Sequence, residues 1–215
     1  MVAPAAATSR FFTSFVAALY LVAASQSHVA QAANAPSYQQ TSDAAADLQK
    51  SQIAWAEAWG RAVFDAYKAT TKVSNLATDS ALSTAANAVT DKCKGKYRAV
   101  VVAPPGMPAD KIAVYYIGAV PKEQGLMIGR HYRVIVSGDG KTALSVTPSS
   151  ETCLSIPPQE PDKEKVGTLT THLLTPTPSE FHVFLSLLVH ESLYVGTKTG
   201  IWEVKDGKIL RFQNN

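Results

Sequence analysis

The chain predicts an α+β fold, in which N-terminal helices pack on a mainly antiparallel sheet that also holds one buried C-terminal helix. Three observations lead there. Residues 43–93 are alanine-rich, free of proline and apolar at helical spacing. Residues 96–215 are mostly short β-branched and aromatic runs cut by Gly, Pro and Asp. A single helical pattern, residues 178–190, interrupts those runs. Helices first and strands afterwards, without regular alternation, argue for α+β rather than α/β.

The first 32 residues stand apart. Arg10, their only charged side chain, precedes the apolar run 11–24, and Ala30-Gln31-Ala32 follows as a small-x-small cleavage site. These are the three regions of a secretory signal peptide. The apolar run is shorter than the roughly 20 residues a spanning helix needs. Cleavage is expected after Ala32, or next after Ala35, which makes the mature protein periplasmic or secreted. No later stretch is long and apolar enough to span a bilayer. Residues 33–42, ANAPSYQQTS, read as a disordered leader, and 43–215 as a single domain, helical over 43–93 and sheet-rich over 96–215.

Asp43 is a good N-cap for one long amphipathic helix to about residue 69, with Trp55 and Trp59 one turn apart to anchor it on the sheet. Ser80 is the expected N-cap of a second helix ending near Cys93. Strands follow at 97–102 and 111–120. The clearest hairpin is 131–136 with 142–147, turning at Ser137-Gly138-Asp139-Gly140. Alternation in the first arm sends Arg130 with Tyr132, and His131 with Arg133, to opposite faces, so that stretch reads as a solvated sheet face rather than an anion site. The proline-bearing segment 155–165 reads as a surface linker.

Residues 166–212 spell a complete unit of strand, capped helix and strand meander. Thr177-Pro178-Ser179-Glu180 predicts a capping box with Thr177 as cap, Pro178 in the first helical position and Glu180 reaching back. On a helical wheel Phe181, Phe184, Leu185 and Leu188 form one face, flanked by Val183 and Leu187. His182, Ser186 and His190 make a narrow polar stripe. That helix must be mostly buried, between the sheet and the N-terminal helix.

Whole-chain arithmetic excludes some functions. The chain carries 20 basic and 17 acidic residues. Loss of Arg10 with the leader leaves 19 against 17, a near balance with no electrostatic footprint for nucleic acid. Cys93 and Cys153 enter an oxidising compartment as an even pair, which favours a disulfide.

Catalytic signals are sparse. No G-x-S-x-G, P-loop or G-x-G-x-x-G is present. Cys153 ahead of His172 follows the order of some cysteine peptidases, yet ETCLSIPP reads as a strand end rather than a helix start. His190 at a helix C-terminus is accounted for by the dipole. His172, Glu180 and His182 could approach one another as a catalytic or metal-binding set, and two histidines with a carboxylate are sufficient in kind for zinc.

Over residues 166–212 the order of strand, histidine, loop, Pro-Ser and helix resembles the metal-binding part of the JAB/MPN metallohydrolases, whose pattern is His-x-His, a gap, then Ser-x-x-Asp. His172 stands at the second histidine and Ser179 at the serine. Thr170 stands at the first histidine and His182 at the aspartate, and for the upstream glutamate the sequence offers Glu123 as a loose match. The resemblance implies a related fold with a degenerate site. The expected function is therefore a non-enzymatic envelope protein that binds a protein partner, such as an accessory or immunity factor, and needs no cofactor. The alternative is a zinc-dependent hydrolase centred on His172, Glu180 and His182.

Overall fold

The computed structural model describes residues 38–69, 74–119, 125–158 and 167–213, with side chains from residue 42 onward. The stretch expected to be a signal peptide, with its expected cleavage site, lies outside the described residues, as does Glu123. The elements are α1 (Tyr38–Lys68), α2 (Leu76–Ala88), β1 (Lys96–Val102), β2 (Lys111–Ala119), β3 (Leu126–Met127), β4 (Tyr132–Ser137), β5 (Ala143–Pro148), β6 (Ser155–Ile156), β7 (Thr168–Thr171), α3 (Glu180–Val189), β8 (Leu193–Thr197), β9 (Gly200–Lys205) and β10 (Lys208–Arg211). The α+β class holds.

Where one sheet was expected there are two of four strands each, in the orders β1-β2-β4-β5 and β10-β9-β8-β7, with a short β3-β6 ladder beside them. Among the described residues every pairing is antiparallel except β7 with β8, which α3 connects. The first sheet is covered on both faces. Val114, Tyr116, Tyr132, Val134 and Val136 pack under Ala81, Ala85 and Val89 of α2 and its C-cap. The alternate residues Val100, Val102, Ala113, Tyr115 and Ile117 share a larger core with α1 and α3. The second sheet closes that core from its inner face with Leu193, Val195, Trp202, Val204 and Ile209.

α3 therefore sits between α1 and both sheets, and residues Glu180 through Leu187 are all buried. Its crossing with α1 is very close. A Cβ on Gly60 would lie 2.5 Å from Val183 Cβ and 2.6 Å from the Glu180 carbonyl. Glycine inside a helix costs about 1 kcal/mol relative to alanine, and here it lets the two backbones touch. Phe184 meets the Tyr67 ring edge-on at 5.3 Å, and Phe181 meets Tyr115 edge-on at 5.6 Å.

Several boundaries differ from the sequence reading, each for a local reason. α1 starts at Tyr38, inside the stretch assigned to a disordered leader. α2 starts five residues early because Asn75 and Thr78 cap it reciprocally, the Asn75 side chain accepting from Thr78 N–H and Thr78 Oγ1 accepting from Asn75 N–H. The cap of α3 is Ser179 rather than Thr177, and its partner is not Glu180. The Ser179 N–H donates to His182 Nδ1 at 3.1 Å, so an imidazole closes the turn. Of the polar stripe only His190 is exposed: His182 is buried, and Ser186 is buried, donates to the Val183 carbonyl and accepts from Gly207 N–H. That amide belongs to the β9-β10 turn, where Asp206 and Gly207 both have positive φ, as a tight hairpin requires.

Cys93 and Cys153 form a disulfide, with Cα atoms 5.8 Å apart and a sequence separation of 60. Closing a loop of that length is worth about 4 kcal/mol in the chain-entropy model. Among the described residues no helix is long and apolar enough to cross a membrane.

These contacts set an order of sensitivity around α3. Phe184→Ala should cost about 3 to 5 kcal/mol through its cavity, and Gly60→Ala about 1 to 3 by forcing the helices apart, despite alanine's better helix propensity. Ser186→Ala should cost about 1 to 3 because it strands the Gly207 amide. Urea midpoints measure all three; a neutral Gly60→Ala would show that α1 and α3 are not in backbone contact.

Candidate functional site

A cleft with a volume of ≈ 150 Å³ lies where α1, the end of β5 and the loop from β7 to α3 meet. Gln52, Trp55 and Ala56 form the α1 wall, Thr147, Pro148 and Ser149 the β5 wall, and His172, Leu174, Thr175 and residues 177–181 the third side, with Arg133 at the floor. Alternation explains Arg133: it stands opposite Tyr115 on β2 and Thr147 on β5, so it faces the helical layer.

Arg133 does not lie on a solvated face, contrary to the alternation argument. Its Nη1 is 2.5 Å from Glu180 Oε1, and the carboxylate side chain is only 3% exposed. The guanidinium lies 5.0 Å from the ring centre of Trp55 and 5.6 Å from that of Trp59, a cation–π arrangement that suits arginine's weak hydration. Tyr115 Oη donates to the same Glu180 oxygen at 3.4 Å. Burial raises the Glu180 pKa, and the attraction of Arg133 only partly offsets that. Burial, with the Glu180 charge beside it, also holds the Tyr115 phenol well above its usual range.

Of the candidates named from sequence, His172 lines the cleft and His182 packs against it, ring centres 4.7 Å apart and edge to face. Glu180 does not complete the set, because its carboxylate is turned to Arg133 and Tyr115. His172 Nε2 lies 2.8 Å from Thr175 Oγ1. Among the described residues, no three of His, Cys, Asp or Glu are gathered where they could hold a metal ion. Cys153 is in the disulfide and offers no thiol. His190 is the exposed left-handed C-cap of α3, its amide donating to the Ser186 carbonyl.

His131 is fully buried. Its Nδ1 accepts from Gly118 N–H at 3.0 Å and its ring stacks near Phe181. Among the described residues Nε2 has no hydrogen bond of good geometry, and the Met127 backbone offsets the burial of the ring only in part. Arg130, at positive φ, pairs with Asp91 at 2.7 Å. The two arginines flanking His131 thus take separate carboxylates and do not form one anion site.

Sequence reasoning missed Arg133 as a cleft residue, along with Trp55 as its cover and Ser149 and Thr175 as hydroxyl neighbours. The β4 alternation holds equally when either face is buried, so the pattern alone could not find them.

Two tests follow. Arg133→Met should cost about 3 to 5 kcal/mol by leaving Glu180 buried without its cation, and adding Glu180→Gln should recover part of that loss. Denaturant unfolding of the two variants decides it.

The second test is pH. Burial lowers the pKa of His131 to about 4 and of His182 to about 3, and lowers that of His172 as well. In the unfolded chain these rings titrate near about 6.5. Below that pH the unfolded state binds protons that the folded state refuses, so stability present above about 6.5 should be lost as pH falls toward about 4. Glu180, raised by burial, runs the other way as one group against three. The urea midpoint should drop from pH 7.5 to pH 5; a steady or rising midpoint would mean that the imidazoles are charged inside the fold.

Comparison of the chain with protein-family models, curated proteins and solved structures gave no match.

Proposed function

We propose that this is an exported, periplasmic or secreted protein that acts without catalysis by binding another protein, its contact centred on the cleft beside Trp55 and Arg133. One observation carries the reading. The groups at the cleft that could do chemistry are already bonded within the fold, while its rim is apolar and open. Glu180 is held by Arg133, His172 by Thr175, and His182 Nδ1 by Ser179. Ser149 Oγ accepts the His131 amide. Trp55 at 38% and Leu174 at 44% remain exposed, and half-exposed aromatic anchors beside an arginine are the composition of interface hot spots.

The leader and the disulfide support the compartment. An accessory or immunity role, in which a small rigid protein docks on one partner, fits these features. The alternative, a zinc hydrolase resembling the JAB/MPN family, has in its favour the contact between His172 and His182, but among the described residues no third ligand is gathered beside them.

A photo-crosslinking residue at Gln52 tests the reading in the exporting cell. The expected result is one adduct with a single heterologous protein, whose affinity for the purified chain falls about tenfold or more in Trp55→Ala. No adduct, together with stoichiometric zinc that is lost in His172→Ala, would replace this reading with the hydrolase.

A further inference from the structure

Each four-stranded sheet has two edges, and a free edge offers unpaired N–H and C=O groups to any passing strand unless something blunts it. Three of the four edges are blunted. β1 carries Lys96 and Arg98, both exposed. β10 is covered by α1, since Glu57 accepts the Ile209 amide at 2.9 Å and pairs with Lys208 at 2.8 Å. β5 shifts register opposite Ile135 and Val136 and ends in Pro148, which has no N–H to offer.

Among the described residues β7 has no such guard. From Gly167 to Leu173 there is no Lys, Arg, Asp, Glu or proline, and its pairing with β8 is regular. The Thr168 N–H donates to the Ser192 carbonyl and the His172 N–H to the Gly196 carbonyl. Alternation therefore turns Thr168, Thr170 and His172 toward β8 and turns the backbone groups of Leu169, Thr171 and Leu173 outward. No described strand pairs with that side. Leu169 is 73% exposed and Leu173 62%.

The outward residues read Leu, Thr, Leu, the same in either direction. An antiparallel copy centred on Thr171 sets Thr171 opposite Thr171 and each Leu169 opposite a Leu173, so one two-fold axis satisfies both edges with identical contacts. We propose that a second copy of this chain pairs here, β7 to β7, joining the two C-terminal sheets into one continuous sheet. This goes beyond the role given to the cleft and does not depend on it.

Sedimentation equilibrium of the mature, disulfide-bonded chain tests the pairing. A concentration-dependent dimer is expected, and Leu169→Lys should raise its dissociation constant about tenfold or more by placing a charge on the shared edge. Ile201→Lys, on the outer face of the same sheet but away from its edge, should leave the dimer unchanged. Thr171→Cys should link two copies on mild oxidation, because opposed residues of a hydrogen-bonded antiparallel pair have Cα atoms about 5.5 Å apart. Thermal unfolding of each variant shows that it is folded. A monomer at every concentration would overturn the proposal. A dimer that resists Leu169→Lys, fails to link through Thr171→Cys or responds instead to Ile201→Lys would do so equally.

Discussion

A ten-residue helix with no wet face has to be dried on every side, and most of this architecture answers that demand. α3 is too short to be stable alone. Its apolar surface wraps most of the wheel, so one covering layer leaves part of it in water. α1 takes one side, the inner face of the first sheet a second, and the meander β8-β9-β10 a third. The layers close only because Gly60 removes the side chain that would hold α1 away from Val183. Even the polar stripe is used to lock parts together, with Ser186 bridging the helix to the β9-β10 turn.

The same burial makes the polar cluster beside the cleft costly. Removing a carboxylate and a guanidinium from water is repaid only if geometry and further hydrogen bonds are good. Here Glu180 begins α3, where negative charge is favoured by the helix dipole, and Arg133 is dried by two indole rings. The ion pair thereby fixes the approach of α3 to β4. Its outer surface, Trp55, is what the cleft presents to solvent, so the packing of the core and the chemistry of the cleft are one arrangement.

Outside that core the chain manages its surface unevenly. The disulfide joins the segment after α2 to the loop after β5, stabilising a covering helix that contributes a small, alanine-rich face. Charges, a covering helix or irregular pairing guard three sheet edges, and β7 remains plain.

Much of the fold could be read from local chemistry. The strand, helix and meander of residues 168–211, the 132–148 hairpin, the burial of Phe181, Phe184 and Leu185, and the Cys93–Cys153 bridge follow from periodicity, turn residues and cysteine count, because each depends on neighbours in sequence. The candidate site was legible only in part. His172 and His182 do meet, since the loop between β7 and α3 is short, but the partner of Glu180 lies on a distant strand. Local rules gave that carboxylate to the helix cap, whereas Arg133 claims it and His182 takes its place. Whether a strand residue faces water or a second layer depends on what covers it, and that is decided by how α1 crosses α3 and by the second sheet. Periodicity tells which residues share a face; only tertiary packing tells what that face meets.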